Sequence, residues 1–358
     1  MNKTRTLLKI IGSPLLEKKP EADLIESDEL FRYAFRNNVE MLYFQALEEA
    51  GKLDTLRATR DEIIARQRDT AKTICRLSEV LRHDDIPHAM TKTLRPYPGT
   101  PNDIDCLYLG PLDQYENVGK YLQNNQYRLT GPNDMQYEFF DEISDEAFQE
   151  DKSGGRFYID FYRELAADHM PYMDSQILAK EVIQVQIDEC PNPVYVFKPI
   201  AEMVVLSLHS VLMHRIVPLE VFYTYAYFIA EMSEVELDEL WRFTCLNHAE
   251  PAMRTVLTLM ETLHQECFGF VPDKLAYILK LSGQRISEKK DLLQNDIHMP
   301  HVVRLSTFVI SVFSKIRGKR ARRGFFKELA HMLNPVFAVE VLYHMLSKKF
   351  IDKHSDHV

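Results

Sequence analysis

Glycine is scarce in this chain, 12 of 358 residues. That argues against Gly-rich phosphate loops and β-solenoids and for a largely helical protein. Cysteine is also sparse and unordered. Cys75, Cys106, Cys190, Cys245 and Cys267 are odd in number, widely spaced and without a CxxC pair. This pattern excludes an obvious disulfide framework or zinc knuckle and suits a reducing cytosol. No segment holds eighteen uninterrupted apolar residues, so no membrane span is expected and the location read from sequence is cytoplasmic. The basic, partly apolar start, MNKTRTLLKIIGSPLLEKK, is broken by Lys9, Gly12 and Pro14, and no small-residue cleavage site follows. Tryptophan occurs once, at 241, spaced from Leu237 and Leu240 as a helical core residue would be.

What is present describes an ordinary globular chain, with 46% hydrophobic and 27% charged residues. A net charge of −10 argues against a general nucleic-acid coating protein. One basic run stands against that background: Lys315, Arg317, Lys319, Arg320, Arg322 and Arg323. It reads either as a solvated loop marked by Gly318 and Gly324 or as a polyanion contact for RNA or tRNA.

Residues 1–27, with Pro14 and Pro20, read as an N-terminal extension. From Asp28 to Gly51 apolar residues recur at threes and fours, which predicts one helix; a second is predicted over Leu56–Arg82. These make a helical N-terminal region, 28–85. At Ile86-Pro87 the pattern turns extended. Strands are predicted before Arg95, over Asp103–Leu109, Tyr127–Leu129, Met135–Phe140 and Arg156–Tyr162, with a helix over Leu112–Asn124. The acidic stretch Asp141–Asp151 reads as a solvated loop. Residues 86–185 thus form a small mixed α/β domain, and 186–358 a helical C-terminal domain. Within the latter, helices are predicted over Ile200–His214, Leu219–Met232, from Ser233 through Leu246 behind a capping box, and near 252–267, 301–316 and 325–346.

The chemistry concentrates where the pattern changes. Asp103 and Asp105 flank one apolar residue at the head of a strand, so both acids share a face. Like charges that close repel, and a divalent cation is the usual neutraliser. A third acid, Asp160, lies in the aromatic run Phe157-Tyr158-Ile159-Asp160-Phe161-Tyr162, where a lone charge wants a metal or a cationic partner such as Arg156 or Arg163. His209 and His214 stand five apart, off the four-residue spacing of HExxH histidines, and read as core-edge or interface residues rather than metal ligands.

A DxD on one strand, about fifty residues with a helix and a hairpin, then an Asp on another strand resembles the nucleotidyltransferase superfamily with the DNA-polymerase-β-like palm. The surrounding residues resemble its uncharacterised bacterial and archaeal members: Met90-Thr91-Lys92-Thr93, Arg95-Pro96-Tyr97-Pro98-Gly99, Asp103-Ile104-Asp105-Cys106-Leu107, Ile159-Asp160-Phe161-Tyr162 and, further on, Pro199-Ile200-Ala201-Glu202 leading to Leu208-His209 and His214, then Leu237-Asp238-Glu239-Leu240-Trp241 and Phe268-Gly269-Phe270-Val271-Pro272. The likeness spans about residues 30–275. It implies an α+β fold, mostly α overall, with a small mixed-sheet palm flanked by helical N- and C-terminal regions.

The resemblance further implies an Mg²⁺- or Mn²⁺-dependent enzyme that transfers a nucleotide from a nucleoside triphosphate to a hydroxyl of RNA, protein or a small molecule. Asp103, Asp105 and Asp160 would hold the metals, with Asp160 as general base. Lys92, Thr93 and Arg95 would meet the nucleotide. One position departs from the pattern: Thr93 stands where glycine is expected, and no Gly-Ser pair follows. A catalytically inactive interaction or regulatory protein on the same fold is therefore the alternative, and a toxin-type enzyme acting on tRNA a further one.

Overall fold

The computed structural model describes residues 2–16, 26–99, 103–133, 135–142, 158–167, 169–283 and 298–331. It is a mixed α and β structure dominated by helices, with one seven-stranded sheet. The chain divides into two compact units that interleave along the sequence. The first comprises residues 1–63, 95–99 and 199–317; the second comprises 64–94, 100–198 and 318–358. The four consecutive segments read from sequence are thus regrouped.

In the first unit, α1 (Lys3–Ile11) buries Leu7, Leu8 and Ile10, so the N-terminal segment expected as an extension contributes to a core. The single helix expected over 28–51 is two, α2 (Asp28–Arg36) and α3 (Glu40–Glu49). The break has a polar cause. Asn37 is fully buried; its Nδ2 donates to the carbonyls of Tyr33 (3.0 Å) and Met299 (3.3 Å), and its Oδ1 accepts from Leu219 N–H (3.1 Å). Asn38 then takes a left-handed φ of 55°, which Asn tolerates. Apolar periodicity is blind to such a junction.

Helices Pro199–Leu208, Leu219–Glu231, Glu234–Leu246, Glu250–Phe268, Asp273–Ser282 and Leu305–Lys315 also belong to this unit, with a two-residue ladder of Ile216–Val217 and His301–Val302. The capping box is present: Ser233 Oγ accepts from Glu236 N–H, and the Glu236 carboxylate accepts from Ser233 N–H. Trp241 is half-buried rather than core, with Arg254 5.3 Å from its ring centre. Of the helix predicted near 325–346, residues beyond 331 lie outside those described.

The second unit is built on α4 (Arg57–His83, from Ile64 on) and the sheet. Its strands are β1 (His88–Met90), β2 (Ile104–Tyr108), β3 (Tyr127–Pro132), β4 (Gln136–Asp141) and β5 (Tyr158–Tyr162), with α5 (Tyr115–Asn124) after β2. A two-residue ladder of β6 (Ala166–Ala167) and β7 (Met170–Pro171) follows, then β8 (Val182–Val185) and β9 (Val194–Phe197). The order across the sheet is β3-β4-β5-β2-β1-β9-β8. β1 runs antiparallel to β2, and β2 parallel to β5. β9 belongs to this sheet, pairing parallel with β1, although residues from 186 on were expected to be helical.

Alternation along the central strands builds one face of the sheet as core. Ile104, Cys106 and Tyr108 of β2 and Ile159 and Phe161 of β5 pack with Leu77, Leu81, Tyr115 and Leu122. Tyr115 stacks on Phe161 with ring centres 5.6 Å apart and planes within 5°. The intervening residues Asp105, Asp160 and Tyr162 fall on the opposite face by the same two-residue period.

Two polar features correct the sequence reading. Asp141 is fully buried at the end of β4 and forms an ion pair with Arg76, so it is no part of a solvated loop. Residues 143–151 of that stretch lie outside those described. Cys75 on α4 is disulfide-bonded to Cys190, between β8 and β9, across 115 residues of sequence. No local spacing signals such a pair. A disulfide belongs to oxidising surroundings, so cysteine usage no longer argues for a reducing cytosol. Among the described residues, no helix is long and apolar enough to cross a membrane.

Candidate metal centre

Asp105 lies in β2 directly beside Asp160 of the parallel strand β5, in register. Asp103 stands just before β2, two residues from Asp105 and therefore on the same side. One carboxylate oxygen from each of the three lies within 4.8 Å of the other two. Among the described residues this is the one group of three such ligands. Asp105 is buried, Asp160 partly buried and Asp103 exposed, so the group opens to solvent on the Asp103 side.

The segment after β1 supplies the positive charge. Thr91 N–H donates to Asp105 C=O (3.0 Å), extending the ladder, and Lys92 then takes a left-handed φ of 57°. That conformation costs a lysine about 1 kcal/mol. It accompanies an ion pair between Lys92 Nζ and Asp105 Oδ1 at 2.8 Å, with side chains only 8% and 6% exposed. Lys92 Nζ also stands 3.5 Å from Tyr162 Oη and 5.0 Å from the Tyr162 ring centre. Tyr162 Oη in turn donates to Asp160 Oδ2 at 3.1 Å.

These contacts set the charge balance. Burial and the neighbouring Asp105 charge push the Asp160 carboxyl up to about 6; Lys92 and the Tyr162 hydroxyl partly oppose them. Burial disfavours the Lys92 ammonium, yet Asp105 and the other negative neighbours outweigh it and hold the amine protonated, above its ordinary range. Three carboxylates are thus gathered at one point, with the Lys92 ammonium paired to one of them. At the 4.8 Å limit of the cluster, two carboxylates repel by roughly 3 kcal/mol at an effective dielectric constant near 20. An all-oxygen donor set, part buried and open on one side, fits a hard divalent cation such as Mg²⁺ or Mn²⁺.

The structure brings together the three acids and Lys92. It assigns other work to Thr93 and Arg95. Thr93 is buried; its Oγ1 donates to Thr91 C=O (3.0 Å) and accepts from Asp105 N–H (2.8 Å), bracing the strand that carries the acid. Arg95 pairs with Glu220 inside the first unit, Nη2 to Oε1 at 2.7 Å, with both side chains largely buried. Asn38 Nδ2 donates to the other oxygen of Glu220 at 2.6 Å.

Tyr162 belongs to the cluster and was not singled out from sequence. The signal was available, since Tyr162 is two residues from Asp160 on a strand and must share its face. In the basic run, Arg320 is taken by Glu164 (2.7 Å) and Asp174 (2.9 Å). Its helix, Lys319–His331, presses Gly324 against the His169 carbonyl so closely that a Cβ there would collide with backbone. Lys315 is buried, and its Nζ donates to the Asn247 carbonyl at 2.5 Å. Two members of the run are therefore structural.

Comparison with known protein families and with curated proteins finds no match for this chain.

Proposed function

We propose that this protein is an Mg²⁺- or Mn²⁺-dependent nucleotidyltransferase whose palm is the sheet around β1, β2 and β5. The observation that carries this reading is the convergence of Asp103, Asp105 and Asp160 on one open point from two adjacent parallel strands. A divalent ion bound there would neutralise a triphosphate and make an acceptor hydroxyl easier to deprotonate. Asp103, Asp105 and Asp160 would hold it. Asp160, with a carboxyl raised to about 6, is a stronger base than an ordinary carboxylate and suits removal of the acceptor proton. Tyr162 fixes the Asp160 carboxylate through its hydroxyl. Lys92 is the ammonium positioned beside the acids to meet phosphate oxygens.

The test is incubation of the chain with each labelled nucleoside triphosphate, Mg²⁺ and a cell extract. Label should enter protein, RNA or a small molecule, and Asp105→Asn and Asp160→Asn should abolish it. No labelled product, together with no metal-dependent nucleotide binding, overturns the reading.

One observation favours a second reading, a nucleotidyltransferase-fold interaction protein without turnover. Lys92 already neutralises Asp105, and the Thr93 hydroxyl is occupied on both sides by backbone. That protein would bind neither metal nor nucleotide. Transfer to tRNA as acceptor would draw on Arg317, Lys319, Arg322 and Arg323, since Lys315 and Arg320 are engaged elsewhere. The label's destination decides it.

A further inference from the structure

Residues His209–His214 form a turn of π-helix that continues the helix Pro199–Leu208. In an α-helix, positions five apart diverge by about 140° around the axis, which is why the spacing appeared wrong for a shared site. A π turn closes from i to i+5 and brings them to one side. His209 and His214 do meet there: their Nε2 atoms are 2.9 Å apart, the ring centres 4.5 Å apart and the planes at 84°.

We propose that His209 and His214 form a two-imidazole chelate for a divalent first-row transition-metal ion of tetragonal preference, Cu²⁺ or Ni²⁺. The geometry is that of a bent contact between the two Nε2 atoms. A head-on N–H···N bond of 2.9 Å would push the ring centres beyond about 5 Å, because each ring extends straight back from its nitrogen. The observed 4.5 Å means that the contact is bent, as it is when both nitrogens face a point beside the line between them. With bonds of ~2.0–2.1 Å at a right angle, the nitrogens stand about 2.9 Å apart and the ring centres about 4.5 Å apart. Both observed separations match that arrangement. A tetrahedral ion would spread the nitrogens to about 3.3 Å, so the pair is better set for Cu²⁺ or Ni²⁺ than for Zn²⁺.

Binding is balanced without redox chemistry. Each neutral ring donates its Nε2 lone pair, any proton between them moves to solvent or to Nδ1, and no electrons are exchanged. His209 is half-buried and His214 exposed, so an ion has access. The adjacent cation, Arg215, has its guanidinium at the Val303 carbonyl (3.3 Å) and near the Phe308 ring. Among the described residues no third His, Cys, Asp or Glu joins the pair in a group of three. This site differs in kind from the carboxylate cluster, since imidazole suits Cu²⁺ and Ni²⁺ whereas carboxylates suit Mg²⁺.

The experiment is calorimetric titration of the untagged full chain with Cu²⁺ and, separately, Ni²⁺, with Cu²⁺ binding also followed by electron paramagnetic resonance. The tightest equivalent should show nitrogen hyperfine structure from two imidazoles. It should weaken at least tenfold in His209→Ala, in His214→Ala and in the double variant, and persist in an Asp103→Asn/Asp105→Asn/Asp160→Asn variant. Circular dichroism checks that each variant is folded, and His214→Gln at the exposed position is the fallback. Unchanged affinity in the double variant, or loss of this equivalent in the triple-Asn variant alone, overturns the proposal.

Discussion

Lys92 and Arg95 lie three residues apart, both were expected to meet phosphate, and both are buried in ion pairs, yet the two pairs are unlike. Arg95 faces Glu220, whose second oxygen is satisfied by Asn38, and the buried Glu40 also acts on Arg95, so the group is a structural anchor in the first unit. Lys92 faces Asp105, which stands with two further carboxylates in the second unit. There the ion pair is part of a gathering of three carboxylates. A buried ion pair holds structure when its charges close. It becomes a candidate site when further acids converge on it, because a cation can then be held by several oxygens at once.

Ways to break this comparison begin with the acids. Asp105→Asn should lower nucleotide transfer by about a thousandfold or more, equivalent to ~4 kcal/mol of lost transition-state stabilisation, measured as labelled product per unit time. Arg95→Ala should destabilise the protein by roughly 3–5 kcal/mol in urea unfolding, because the largely buried Glu220 loses its cationic partner, and Mg²⁺ should restore none of it. Lys92→Met should cost about 3 kcal/mol in metal-free buffer, with most of it recovered in Mg²⁺, since the ion can replace the lost ammonium. Equal Mg²⁺ response in both variants would erase the distinction between anchor and site.

A finer test is the titration of Asp160. With its carboxyl raised from 3.8 to about 6, the folded protein holds a proton that the unfolded chain releases. This group therefore subtracts stability as pH rises through that window, by about 3 kcal/mol in full. The buried rings of His88 and His264, lowered by burial to about 4, act oppositely: their contribution is lost as pH falls from 6.5 towards 4. The measurement is accordingly the Asp160 carboxyl carbon by NMR, with a midpoint near pH 6 that should fall when Mg²⁺ is added. A midpoint that ignores Mg²⁺ would remove Asp160 from the metal centre. The smallest effect belongs to the first unit: Ser233→Ala should cost about 1 kcal/mol through the lost cap and leave metal response unchanged.

Much of this was legible in the residues. The three acids, the alternation that puts Asp103 and Asp105 on one face, the long α4 and the capping box at Ser233 all follow from local periods and side-chain chemistry. The illegible parts were set elsewhere. The break at Asn37 depends on the Met299 carbonyl and Leu219 N–H, distant in sequence. The Cys75–Cys190 bond spans 115 residues. The meeting of His209 with His214 requires a π turn that the α-helical period misassigns.

Sequence alone determined which groups carry charge and which face of a strand or helix they take, because both are decided by the backbone repeat within a few residues. Tertiary structure decided what each charge meets. It placed Asp160 in register beside Asp105, gave Lys92 to the acids and Arg95 to Glu220, and drew β9 into the sheet. Burial and Coulomb energy depend on distances between residues far apart in the chain, and no local pattern contains them.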